Sequence, residues 1–179
     1  ENGYLDKPKV LGFDIEVYSK HRFPNDQIDP ILMVALYGND GYKKTIVWKK
    51  FNNPTDDVEF VKDEKELIVR FNDLVNEYGP DFIVGYFSDG FDFPYLQARA
   101  DKLKVKLKLG LDGSALKQNR RNNTSTTKIK GVAHVDVFKF IRRIMSGEIN
   151  LPAYDLNTVA SNFLGSGKVG VDINKLWKA

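Results

Sequence analysis

The chain has 179 residues, 42% of them hydrophobic, enough for one compact core and too few for two comfortable domains. It contains no cysteine, which excludes disulfide staples and thiolate zinc sites and fits a reducing, cytoplasmic setting. No apolar run approaches the roughly 20 residues of a membrane span, Glu1 does not open a signal peptide, and the net charge of +3 is unevenly divided. Between Lys102 and Lys130 nine basic residues stand against one acid, Asp112, so the rest of the chain is net acidic. Such an arm is either a solvated charged loop or a surface for a polyanion, and only a neighbouring site decides between them.

In chain order, Lys9 to Tyr18 alternates apolar and polar residues over Phe13 to Val17 and predicts a strand. Ile31 to Tyr37 is a continuous apolar run between Pro30 and Gly38, the pattern of a strand buried on both faces. Thr45 to Trp48 predicts a third strand, joined to the second through Asn39, Asp40 and Gly41 as an antiparallel hairpin, so the sheet is expected to be mixed. From Glu64 to Tyr78, Leu67, Ile68, Phe71, Leu74, Val75 and Tyr78 form one helical stripe, opened by Asp63 and Glu66 at capping-box spacing and closed by Gly79 and Pro80. Asp81 to Tyr86 predicts a central strand, and Asp92 to Lys104 a helix with Pro94 in its first turn. The polar stretch Ser114 to Gly131 reads as an exposed hairpin or loop. His134 to Val137 predicts a last strand, followed by a helix through Phe138, Ile141, Ile144 and Met145. A further helix would turn Leu156, Val159, Ala160 and Phe163 inward and stop at Gly165, and Ile173 to Lys178 would form another.

Three carboxylates stand out. Asp14 and Glu16, two apart on a strand, project to the same side. The pair is either a solvated polar face or, because adjacent anions repel, a site neutralised by a hard divalent cation such as Mg²⁺ or Mn²⁺. Asp92 stands where a helix begins, as an N-cap or as a third carboxylate of the cluster if its strand neighbours the first. A carboxylate cluster of this kind supports two-metal hydrolysis of phosphodiesters.

Phe13-Asp14-Ile15-Glu16 resembles the first exonuclease motif of family B DNA polymerases, and the run from Gly85 to Leu96, with Phe91-Asp92-Phe93, resembles the second. Pro30 to Met33, Glu64 to Leu67, Leu109 to Ser114, Phe140 to Arg143 and Leu151 to Leu156 resemble stretches of the archaeal enzymes in the same order. The resemblance implies an α/β, ribonuclease H-like fold: a mixed central sheet flanked by helices, with an exposed β-hairpin insertion over residues 114–131 of a single domain, residues 1–179. It implies proofreading, the removal of mispaired 3′-terminal nucleotides from single-stranded or frayed primer DNA, within a larger polymerase chain at the nucleoid. Asp14, Glu16 and Asp92 match the family's catalytic and metal carboxylates, with two Mg²⁺ or Mn²⁺ ions. Phe91 matches an aromatic placed against the frayed strand, although core packing is an equal role for it. Phe87, Lys117, Arg120 and Arg121 are the remaining candidates for DNA contact.

The chain also departs from the family pattern. Phe87 stands where the family usually has asparagine, and Val17 where it often has threonine. The family's third motif is tyrosine with aspartate four positions on; none of the eight tyrosines meets it, Tyr154 being followed by Thr158. The expectation is a domain cut before that motif, weak or inactive as a fragment. The alternatives are an exonuclease-dead DNA-binding scaffold within a polymerase and a stand-alone ribonuclease H-like nuclease.

Overall fold

The computed structural model describes residues 7–21, 23–122, 124–145, 147–149 and 151–167. A mixed six-stranded sheet runs in the order β4 (Val58–Phe60), β3 (Lys43–Val47), β2 (Ile31–Gly38), β1 (Val10–Val17), β5 (Phe82–Gly85), β8 (Ala133–Asp136). β1 lies at its centre, antiparallel to β2 and parallel to β5. Its alternation decides what each face does. Leu11, Phe13 and Ile15 are buried, whereas Asp14 is exposed and Glu16 half-exposed. On the buried side Phe13 meets Phe71 of α1 (Glu64–Tyr78) at 5.8 Å between ring centres and Phe93 of α2 (Asp92–Leu103) at 4.7 Å. Burying each such ring contributes on the order of 2–3 kcal/mol.

Because Phe13 meets both α1 and α2, the two helices share one face, and β2 differs from expectation. Val34 and Leu36 face the helices and are buried, while Met33 and Ala35 are half-buried and Tyr37 is exposed, so β2 is covered on one face along its second half. The hairpin to β3 forms as expected: Gly41 takes φ 91° and donates to the Gly38 carbonyl at 3.1 Å. β4, three residues paired parallel to β3, was not foreseen, since three residues carry no readable period.

Asp63 caps α1 by accepting from the Glu66 amide at 2.9 Å. The return bond of a capping box is displaced by one residue, with Glu66 Oε2 accepting from Lys62 rather than Asp63. Gly79 closes the helix in the left-handed region, φ 63°. The start of α2 departs from the N-cap alternative: Phe91 holds the cap position without a side-chain bond, and Asp92 is the first helical residue. Beyond α2, β6 (Lys117–Arg121) and β7 (Thr124–Lys128) form the separate two-stranded hairpin.

The helix expected after β8 is one α-turn, α3 (Val137–Phe140), continued by a π-helical turn over Ile141–Met145. α4 (Leu156–Leu164) is capped by Asp155 and ends at Gly165, and its apolar stripe is turned inward only in part. Val159 is buried and Ala160 half-buried, whereas Leu156 is 36% and Phe163 46% exposed. The helix expected over Ile173 to Lys178 lies outside the described residues. Among the described residues no helix is long and apolar enough to cross a membrane.

Candidate active site

β5 pairs with β1 only from Val10 to Gly12, so β1 continues past its neighbour and the chain leaving β5 turns across the exposed strand edge. That turn, residues 86–91, delivers Asp92. Its Oδ1 accepts from the Ile15 backbone amide at 3.3 Å, which joins the two motif segments 77 positions apart. Asp92 is 3% exposed, and burial, followed by the charge of Asp14, pushes its carboxyl up to about 7. The amides of Ile15 and of Asp92 itself lower the value, and the charge of Asp136 raises it. A carboxyl desolvated beside another carboxylate ionises at neutral pH only with difficulty, and a cation shared by the two would reverse that.

Asp14 and Asp92 are therefore brought together, and Glu16 lies on the same face of β1 at the bulge between Glu16 and Val17. Among the described residues no three acidic or histidine side chains gather closely enough to share one ion. Carboxylate oxygens are the hard donors that Mg²⁺ and Mn²⁺ prefer. The donor chemistry of the two carboxylates that are brought together, Asp14 and Asp92, suits a divalent ion.

The turn before Asp92 is fixed by residues that sequence reading missed. Asp136, at the end of β8, accepts from the Phe87 amide through Oδ1 and the Asp89 amide through Oδ2, each at 3.1 Å, and caps α3 through the Lys139 amide. Its place just ahead of the apolar Val137 was the one available signal, that of a helix cap. Ser88 is fully buried and lies 2.9 Å from His134 Nε2. Burial holds the His134 imidazole below its usual range, so near neutrality it is uncharged. Asp89 accepts from the Thr127 amide at 2.5 Å and from Lys139, which also reaches the Ser125 carbonyl. These bonds tie the hairpin to the turn that carries Asp92.

The candidate DNA contacts separate. Phe87 and Arg120 line one cavity of about 590 Å³ together with Phe138, Lys139, Arg142 and Arg143. Phe91 is half-buried against the core, 5.3 Å from Tyr95, and borders a neighbouring hollow with Asn25 and Asp26; the two hollows share Gly90 and Pro94. Arg121 borders a different groove with Asn119 and Lys128, and Lys117 stands opposite Lys128 on the hairpin. Arg120 is thus the member of the basic arm brought to Phe87.

Residues 1–159 match the family model described as DNA polymerase family B, exonuclease domain. A DNA polymerase of Methanocaldococcus jannaschii is 38% identical over 172 residues, which is 96% of this chain and 10% of that protein. A DNA polymerase of Pyrococcus glycovorans is 40% identical over 171 residues, covering 96% of this chain and 21% of the relative. The solved family B DNA polymerase of the hyperthermophilic archaeon Pyrobaculum calidifontis superposes with a TM-score of 0.73 at 30% identity, over 99% of this chain and 21% of its own. The chain thus spans about a tenth to a fifth of the relatives it matches. It belongs to the exonuclease-domain family of family B DNA polymerases.

Proposed function

We propose that the chain is the proofreading module of a family B DNA polymerase, hydrolysing 3′-terminal nucleotides from single-stranded or frayed primer DNA. One observation carries the reading: Asp92 is buried against β1, bonded to the Ile15 amide and pressed by the charge of Asp14. Asp14, Glu16 and Asp92 would hold Mg²⁺ or Mn²⁺, which supplies an activated water and stabilises the leaving oxygen. The protein's own part is to keep the carboxylates at the strand edge, to exclude water around Asp92 and to hold the 86–91 turn through Asp136. The remaining ligands would come from a Tyr-x-x-x-Asp segment following these residues, and the other domains of the polymerase chain at the nucleoid would deliver the primer end.

The test is degradation of a mismatched primer in Mg²⁺ by a longer protein that includes the following segment. Asp14→Ala should lower excision at least a hundredfold, and equal rates in the two proteins would reject the assignment. The second reading, a DNA-binding domain without nuclease activity, draws on Phe87 and Val17 standing at motif positions; it predicts DNA binding with no metal-dependent excision in that same protein.

A further inference from the structure

β5 pairs with β1 no further than Gly12, so at Glu16 the ladder partner of β1 among the described residues is β2 alone. That ladder is irregular there. Glu16 stands opposite Met33 but Val17 opposite Ile31, which makes Leu32 an extra residue in β2. Ile31 and Leu32 are accordingly consecutive buried residues in a strand that otherwise alternates. A bulge re-aims the side chains beside it, and a slip of one residue turns a side chain to the opposite face of the sheet. For Glu16 the opposite face is the core side, where Phe13 and Ile15 are buried.

β3 does not hold this bulge, because its pairing with β2 ends at Met33. Side chains take its place. The Ile31 amide donates to Glu64 Oε1 at 2.8 Å, and the Ile31 carbonyl accepts from Trp48 Nε1 at 2.7 Å. Glu64 is 7% exposed, and a carboxylate so buried needs a counter-charge. Arg99 of α2 supplies it with two bonds, at 2.7 and 2.5 Å, and donates a third at 2.9 Å to the Asp26 carbonyl, in the connection between β1 and β2. In the same connection the Tyr95 hydroxyl donates to the Asp29 carbonyl at 2.8 Å, and the Tyr18 amide to the Pro30 carbonyl at 3.2 Å. The buried pair thus joins the helix that begins with Asp92 to the strand end that faces Glu16.

We infer that Glu64 is a positioning residue for Glu16: its carboxylate, set by Arg99, pins the Ile31 end of β2 and so fixes the direction in which Glu16 leaves β1, on the face of Asp14. The inference rests on the reading that Glu16 is a ligand of the divalent ion. It gives the buried ion pair a task beyond stability, since apolar side chains of similar volume fill such a space equally well but accept no bond from the Ile31 amide.

The test is Mn²⁺ binding to the 179-residue chain, read from the electron paramagnetic resonance signal of the free ion. Removing Glu64 alone strands Arg99, so the two are exchanged together. Glu64→Leu combined with Arg99→Met is the kind of exchange that is often neutral for stability. It should nonetheless weaken Mn²⁺ binding roughly tenfold, as loss of a group that orients a metal ligand does. Glu64→Gln combined with Arg99→Met returns an acceptor to the Ile31 amide and should recover the affinity to within about threefold of the unsubstituted chain. Unchanged affinity in the first double variant, or a loss that the second does not recover, would overturn the inference. Should the first not fold, Trp48→Phe decides: at a half-buried side chain it removes the bond to the Ile31 carbonyl and should weaken binding about threefold, and no change there would be equally fatal. Glu16→Ala separates the two readings. If it lowers the affinity and the exchanged pair does not, positioning alone fails; if it has no effect, the ligand reading fails and the inference with it.

Discussion

Asp92→Asn should stabilise the chain in a way that grows with pH. In the folded protein the Asp92 carboxyl titrates near 7, against an ordinary value near 4 when unfolded. Between those values the folded chain holds a proton that the unfolded chain has released, so stability is full below about pH 4 and falls as pH rises to about 7. Three pH units at about 1.4 kcal/mol each set the loss at roughly 4 kcal/mol, a ceiling that local relaxation and water entry will reduce. Asparagine keeps the Oδ1 that accepts from Ile15 and removes the charge that faces Asp14. Thermal unfolding in EDTA should therefore give nearly equal midpoints for the two proteins at pH 4.5. At pH 8 the variant should lead by several degrees, since a chain of this size shifts about 2–4 °C per kcal/mol. Adding Mg²⁺ at pH 8 should raise the midpoint of the unsubstituted chain and leave the variant unmoved. A gap that stays constant or narrows from pH 4.5 to pH 8 would refute the argument that Asp92 is a desolvated carboxyl pressed by Asp14.

Glu64→Ala should cost about 3–5 kcal/mol in urea unfolding, because it strands Arg99 in the interior. The pair is buried and doubly bonded, at 2.5 and 2.7 Å, and Glu64 also accepts from the Ile31 amide. A loss below 1 kcal/mol would mean that water replaces the carboxylate freely. Asp89→Ala should cost about 1–3 kcal/mol and expose the hairpin, since it removes the acceptor of the Thr127 amide and of Lys139. Limited trypsin cleavage between Lys117 and Lys128 should accelerate several-fold, and an unchanged rate would show that other contacts anchor β7.

Local signals account for the elements read correctly. The stripe from Leu67 to Tyr78 defines α1 because its 3.6-residue period survives any tertiary arrangement, and Asp63 and Gly79 terminate it by bonds within one turn. The same holds for the alternation that places Asp14 and Glu16 opposite Phe13 and Ile15. Where reading failed, the deciding contact was distant. Tyr37 is exposed because α1 and α2 share one side of the sheet, a fact absent from the apolar run around it. Leu156 and Phe163 have the right spacing for an inward face, yet spacing does not say whether anything lies over them.

The carboxylates divide along the same line. The sequence by itself determined which acids are candidates, since motif strings and strand parity are properties of a few adjacent residues. Only the tertiary structure decided that β5 stops short of Ile15, that Asp92 fills the edge left there, and that Asp136 and Asp89 lock the intervening turn to β8 and the hairpin. Burial and the repulsion between Asp14 and Asp92 act through space across 78 positions of chain, and no local pattern encodes a distance of that kind.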